Sequence, residues 1–583
     1  MKTADETKTA APTASGRPLR PADFATFAEA LDYAATCETG FTYYNARGEV
    51  LEVLTYRRLR DEARDVAARL LALGLAPGDR VGVQADTCAD FARAFCGALI
   101  AGLIPAPLPL PTMFGAREAY NEQLRRIARV AGARAVFAMP AYVDWVKEAM
   151  ASENMAFCDV VAALPQTDAP FSAPAVAPDD LAYLQFSSGT TGAPKGVAVT
   201  NAAMMANLQG IARHGLQYRE GDRGVSWLPL YHDMGLVGCF LSPISAQYSA
   251  DVMATSDFVR RPLLWLELIS RNRATVTYAP SFGYDLALRR ARGKAPEGMD
   301  LSTWRVAGIG GDMIKAPIIR AFSDTFAPAG FASGAFRPSY GMAETTLALT
   351  FAPEGQGLRT ERLDLTALER EMTARPATPE GPARDFALCG PVLPDHRIEV
   401  RDETGAALPE GRVGRIFAAG PSLMREYFGD PELTAETLAD GWLDTGDLGY
   451  LRDGQLIVTG RAKDLMIVSG RNLWPQDLEW SIEQALDHVR EGGVAAFSVT
   501  PDDSGARIEE EIVIAAECRM RDEGEREAFR AQVKAVAAET HGVDARVALA
   551  PNNALPRTSS GKLSRAKARR MYLDGDFDMK APS

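Results

Sequence analysis

The chain has 583 residues, of which 47% are hydrophobic and 24% charged, and its net charge is -13. That length and apolar content suit a folded protein of several parts and exclude a small single domain or a disordered polymer. The acid excess also excludes a broad nucleic-acid surface, which needs clustered Lys and Arg, and favours a small-molecule or protein partner.

In chain order, the start "MKTADETKTAAPTASGRPLRP" carries acids and no apolar core of a signal peptide. Residues 1–18 are expected to form a disordered tail. No later run reaches about eighteen uninterrupted apolar residues, so no membrane span is expected. Seven cysteines (37, 88, 96, 158, 239, 389 and 518) are scattered without a C-x-x-C pair. That pattern fits reduced thiols in a cytoplasm rather than zinc or a disulfide framework.

From Asp23 to about Thr345 helical and strand-like segments alternate. "YRRLRDEARDVAARLLALGL" has helical spacing and is followed by the strand "DRVGVQA"; "RRIARVAGARAVFAM" repeats that order. The alternation predicts an α/β fold with buried, largely parallel strands. "HRIEVRDETGAALPEGRVGRIFAAG" predicts short strands between Gly and Pro turns, a β-rich subdomain. The Pro-rich stretch 376–384 is expected to be a surface loop. Beyond a boundary at 461–463, "DLMIVSG", "GGVAAFSVT", "EEEIVIAAEC" and a long amphipathic helix predict a small α+β unit, residues 462–583, after an N-terminal domain of 19–461.

The densest chemistry is "SSGTTGAPKG" (187–196), placed after the apolar run Leu181–Phe186. It is not a Walker loop, because Lys195 follows Pro194 rather than Gly. "GIGGDM" (308–313) has Met313 where a dinucleotide fingerprint needs glycine, and "APSFG" (279–283) has Ala279 where a nucleophile elbow needs glycine. The loop still makes sense as an anion cradle. Glycines admit backbone N–H groups to an oxyanion, hydroxyls add donors, and Lys195 adds charge. A flexible linker is the plain alternative, but a linker has no need of Pro-Lys-Gly running into the strand-like "VAVT".

"FSSGTTGAPKGV" resembles the phosphate-binding signature of the adenylate-forming superfamily, and four more family motifs follow in order. "PSYGMAETT" (338–346) is similar to its Y-G-x-T-E motif and "GWLDTGDLGYL" (441–451) to its T-G-D motif. "GRAKDLMIVSG" (460–470) is similar to its hinge and "LPRTSSGKLSR" (555–565) to its C-terminal lysine motif. "WLPLYHDMGLVG", "YAPSFGYDLALRR" and "GRNLWPQDLE" resemble the fatty acyl-AMP ligases of that superfamily in particular. The segment 352–388 stands where those ligases carry an insertion. The resemblance implies a large N-terminal domain of two α/β subdomains plus a β-rich one, followed by a small mobile α+β domain.

It also implies roles. Ser187, Ser188, Gly189, Thr190, Thr191, Gly192 and Lys195 would hold the phosphates of ATP, and Glu344 would hold Mg2+. Tyr340, within Ser339, Gly341, Met342 and Ala343, would stack on adenine, with Gly311 and Asp312 near the base. Ala343 replaces the usual threonine and removes one hydroxyl. Asp447 and Arg461 would bind the ribose, Lys463 would be the hinge, and Lys562 would bridge the carboxylate and the α-phosphate. His232 would lie beside the acyl carboxylate or be simply structural. Taken alone, Glu344 is a helix N-terminal acid, Asp447 a turn former and Lys562 a solvated charge.

The activity implied is ATP-dependent activation of a medium- or long-chain fatty acid to acyl-AMP, then transfer to the phosphopantetheine of a holo acyl carrier protein in lipid, polyketide or lipopeptide assembly. Free coenzyme A is the alternative acceptor. Amino-acid or aryl adenylation and a catalytically silent binding protein are further alternatives. The basic run Arg565, Lys567, Arg569 and Arg570 is a docking patch for an acidic carrier or merely an exposed helix end.

Overall fold

A computed structural model describes residues 18–111, 117–187, 194–468, 470–499, 511–557 and 562–577. Residues 1–17 of the expected tail 1–18, and Ser188, Gly189, Thr190, Thr191 and Gly192, lie outside the described residues, while the Pro18 carbonyl accepts from the Tyr33 hydroxyl at 2.7 Å.

The alternating helices and strands build two parallel sheets. Six strands of the larger sheet run parallel, in the order Phe336–Gly341, Val306–Ile309, Val276–Ala279, Arg223–Ser226, Ser249–Met253 and Gly40–Tyr44. Antiparallel strands Ala348–Phe351 and Val50–Thr55 close its two edges. The smaller sheet has four parallel strands, ordered Ile104–Leu108, Arg80–Gln84, Ala133–Phe137 and Phe157–Asp159. The helices cover these sheets for the reason their sequences give. In Tyr56–Ala72, Leu59, Ala63, Val66, Ala67 and Leu70 form the buried stripe, and Thr55 Oγ1 caps the first turn by accepting from Arg58 N–H at 3.2 Å. An antiparallel pair, Leu181–Ser187 and Lys195–Thr200, flanks residues 188–193.

The β-rich part is a seven-stranded sheet of antiparallel pairs. Segment 352–388 supplies its edge strand Thr360–Asp364, the helix Leu365–Glu371 and the start of strand Ala383–Pro391. Leu363, Leu368 and Phe386 from that segment share one core with Leu448, Tyr450 and Ile457. The Pro-rich stretch departs from the expected surface loop at its end. Ala383 and Arg384 begin a strand, and the Arg384 side chain is only 8% exposed.

The last unit packs the helices Pro475–Ala485 and Glu523–His541 on the strands Val494–Val499, Glu511–Cys518 and Arg546–Pro551 around its own core, including Leu478, Ile482, Ile514 and Val533. Helix Pro475–Ala485 presents Asp477, Trp480 and Glu483, three residues apart and so on one face, to the rest of the chain. Arg384 Nη1 donates to Asp477 Oδ1 at 2.5 Å. The Trp480 ring lies against both Arg384 (4.6 Å) and Lys315 (5.3 Å). Lys315 reaches Glu483 at 3.6 Å and pairs with Glu491, which also takes Arg289 at 2.8 Å. Among the described residues, no helix is long and apolar enough to cross a membrane.

Removing one member of a buried ion pair strands the other charge. Asp477→Ala is therefore expected to cost about 3–5 kcal/mol in urea unfolding, with much of the loss recovered when Arg384→Met is added.

Candidate active site

The carboxyl ends of strands Val276–Ala279, Val306–Ile309 and Phe336–Gly341 open on a pocket, the place where parallel sheets take ligands. Backbone at Gly310, Gly311, Ser339, Tyr340 and Gly341 forms part of its wall, and Ile211, Leu216, Leu347 and Phe351 make much of the rest apolar. Gly341 is obligatory there: a Cβ would stand 1.8 Å from the Leu347 carbonyl oxygen, on the strand that pairs with Ala348–Phe351.

Antiparallel pairing positions the first polar group. In the ladder between Trp442–Arg452 and Gln455–Arg461, one extra residue at Thr459 shifts the register by one, so that Asp447 faces Arg461. Arg461 Nε lies 3.6 Å from Asp447 Oδ1, and the Tyr340 hydroxyl donates to Asp447 Oδ2 at 2.8 Å. Burial raises the Asp447 carboxyl above its ordinary range, while Arg461, Tyr340 and Lys562 pull against that rise. The Asp447 charge in turn raises the Arg461 guanidinium.

A second group surrounds Glu344, on a short turn after strand Phe336–Gly341. Its Oε1 accepts from the Tyr427 hydroxyl at 2.8 Å, and Lys195 Nζ lies 5.3 Å from the centre of the Tyr427 ring. Burial raises the Glu344 carboxyl; the Tyr427 hydrogen bond opposes the rise and the neighbouring Asp233 charge adds to it. Asp233 behaves oppositely. Burial alone would raise it, but the contact with His232 Nδ1 at 3.3 Å, the Lys562 charge and the Met234 N–H donated at 2.7 Å hold it below the usual carboxylate range. Lys562, from the far end of the chain, is thus felt by carboxylates on two different parts of the larger domain.

The structure brings Tyr340, Asp447, Arg461, Glu344, Lys195, His232 and Lys562 to one cleft, with Gly311, Ser339 and Gly341 on its wall. Ala343 is buried below the Glu344 turn, and the Met342 N–H is turned to Thr345 Oγ1 at 3.4 Å. Of Ser187, only the backbone is described, at the hairpin stem opposite Lys195. Asp312 stands apart from the polar network; it is exposed and accepts from its neighbour's N–H, Met313, at 2.8 Å. Lys463 is exposed on a single turn, Ala462–Asp464.

The basic run needs correction. Arg565 is no docking residue: its guanidinium is spent inside the fold, on both Glu479 oxygens and Asp464 Oδ2, each at 2.7 Å. Arg569 donates to the Ser498 carbonyl at 3.0 Å and is half-buried, which leaves Lys567 and Arg570 exposed. Sequence reasoning missed Asp233 and Tyr427. Asp233 adjoins His232 in "YHDMGL" and was there to be read, whereas Tyr427 had no signal because its partner is 83 residues away.

One carboxylate beside a phosphate-binding loop suits Mg2+, which keeps waters and takes other ligands from phosphate. Among the described residues no cluster of three or more His, Cys, Asp or Glu forms a self-sufficient metal cage. Glu344 by itself therefore fits a cation that takes its other ligands from elsewhere.

Residues 37–428 match the family model described as AMP-binding enzyme. The chain belongs to that family. A relative from Caulobacter vibrioides named putative acyl-CoA synthetase is 53% identical over 97% of this chain and 98% of its own length. The medium-chain-fatty-acid–[acyl-carrier-protein] ligase JamA of Moorena producens is 32% identical, with 70% of each chain covered. A solved structure from work on fatty acyl-adenylate ligases of E. coli and L. pneumophila superposes with a TM-score of 0.89 at 41% identity, covering 96% of this chain and 100% of that one. The adenylate-forming fold is thus that of this AMP-binding enzyme.

If Asp447 holds a nucleotide hydroxyl, Asp447→Asn should weaken AMP binding about 10- to 100-fold, as expected for hydrogen bonds to a buried charge, with the melting temperature little changed. Isothermal calorimetry with AMP checks both the direction and the size.

Proposed function

We propose that this enzyme activates a fatty acid with ATP and passes the acyl group to the thiol of a holo acyl carrier protein. The observation that carries the reading is the convergence on one cleft of Lys562, Asp447 with Arg461, and Glu344 with Lys195, beside a largely apolar cavity. In the first step a carboxylate oxygen forms a bond to the α-phosphorus of ATP, the bridging P–O bond to the β-phosphate breaks, and pyrophosphate leaves. In the second, a thiol sulfur bonds to the acyl carbon, the acyl C–O bond to AMP breaks, and the thiol proton is lost.

The chain's own groups do mainly positioning and charge stabilisation, which is what phosphoryl chemistry asks of a protein. Tyr340 and Asp447 orient the nucleoside, and the Arg461 charge opposes the rise that burial gives the Asp447 carboxyl. Lys562 stands where charge develops between carboxylate and α-phosphate. Ser187 to Gly192 and Lys195 hold the phosphates that depart. Glu344 would hold Mg2+, which when bound neutralises phosphate charge. His232 is assigned to the carboxylate end through its contact with Asp233. Gly311 lies at the base, and Lys463 is the pivot about which residues 462–583 turn between steps.

The acyl chain is assigned to the apolar cavity walled by Ile211, Leu216, Leu347 and Phe351. The acceptor assignment is supported by JamA and by the exposed cations Lys567 and Arg570. Free coenzyme A is the second reading, favoured by the name of the Caulobacter relative.

The deciding assay supplies ATP, Mg2+ and fatty acids of increasing length, with either free coenzyme A or holo acyl carrier protein. Acyl-AMP in both arms and thioester on the carrier alone is the expected result; efficient acyl-CoA formation would give the second reading. Reversing the charges at Lys567 and Arg570 to Glu should raise the KM for carrier about tenfold without slowing acyl-AMP formation, because rim charges act on encounter. An unchanged KM would remove the docking assignment.

A further inference from the structure

Tyr427 lies in none of the motifs that carry the proposed chemistry, yet it touches two of them. Its hydroxyl donates to Glu344 Oε1 at 2.8 Å, and its ring lies under the Lys195 ammonium, 5.3 Å from Nζ to the ring centre. The backbone around it fixes both contacts. Strand Glu426–Tyr427 pairs antiparallel with Lys195–Thr200, with Tyr427 opposite Val197. Met424 N–H donates to the Glu344 carbonyl at 2.8 Å, and Thr346 Oγ1 donates to the Ser422 carbonyl at 2.8 Å. Residues 422–428 therefore tie the Glu344 turn to the stem of the phosphate hairpin. Tyr427 is only 6% exposed, so water competes little for its hydroxyl.

We propose that Tyr427 is a positioning residue that keeps Lys195 and Glu344 near each other but apart, so that the lysine serves phosphate and the carboxylate serves the cation. The inference rests on the nucleotide reading above. A lysine and a buried carboxylate brought this close would otherwise satisfy each other as an ion pair, and neither would be free for a ligand. The phenol interposes two different ends. Its ring face attracts the ammonium, and its hydroxyl takes one carboxylate oxygen. That hydrogen bond also fixes a terminal torsion that is otherwise broad, which aims the second oxygen.

The test separates metal binding from nucleotide binding and needs no fatty acid. Mn2+ affinity is read by electron paramagnetic resonance in the presence of a non-hydrolysable ATP analogue, and affinity for the analogue is read by calorimetry without metal. Tyr427→Phe keeps the ring and loses the hydroxyl. It should lower Mn2+ affinity about tenfold or more, as loss of a group that orients a metal ligand does, and leave metal-free nucleotide affinity unchanged.

Tyr427→Leu removes the ring as well and should lower both affinities. In that background Lys195→Met should cost no further nucleotide affinity, although it does in the wild type. Wild-type Mn2+ affinity in Tyr427→Phe would overturn the proposal, as would an equal fall of both constants in that variant. A further loss from Lys195→Met in the leucine background would overturn the spacer role as well. A wild-type chain that binds Mn2+ with the analogue but forms acyl-AMP from no fatty acid would sink the functional reading and leave this inference standing. One that binds neither would overturn both.

Discussion

The cleft proposed to take up a triphosphate is lined with acid. Asp233, Glu344 and Asp447 are all held within it, and the Asp233 charge is felt by Glu344. Like charges brought together in a buried cleft repel, and cations in it offset that repulsion. Arg461 and Lys562 provide them, and both lie at or beyond the end of the large domain. Lys562 therefore adds the small domain's charge to a cleft whose other cations, Arg461 and Lys195, belong to the large one.

The contact between the two parts shows the opposite polarity. Away from the cleft the small unit offers chiefly acids, Asp477, Glu483 and Glu491, to Arg384, Lys315 and Arg289 of the large domain, with Arg471 on Glu369 at 3.4 Å as a pair of reversed sign. At the cleft the small unit offers Lys562 to acids of the large domain. Two patches of opposite sign resist sliding, because a shift that preserves one pairing spoils the other. Trp480, held between Lys315 and Arg384, adds an apolar contact that needs no matching charge.

Much of this was legible from sequence because it is local. Helix Tyr56–Ala72 announces itself through the spacing of Leu59, Ala63, Val66 and Leu70, and the parallel sheets follow from the repeated helix-to-strand order. Tyr340, Glu344 and Asp447 stand in short motifs that resemble those of the adenylate-forming family, and that resemblance is what singled them out. What stayed hidden depends on contacts across the fold. Arg384 looked like part of a surface loop because its burial depends on Asp477, 93 residues on. Arg565 looked like a free surface cation because Glu479 and Asp464 meet it only after folding. Tyr427 is an ordinary strand residue until the Glu344 turn is laid against it.

The bulge at Thr459 has an evolutionary reading. Its carbonyl is taken by Gln476 Nε2 at 3.0 Å, so the residue that displaces the ladder is also a foothold for the helix of the small domain. A one-residue slip of the ladder beyond the bulge would put Gly460 opposite Asp447 and turn Arg461 to the other face of the strand. Single-residue insertions and deletions between 447 and 461 should therefore be purged in descendants of this chain. Length changes should instead accumulate in such turns as Asp402–Gly405, where neither pairing is counted from the change.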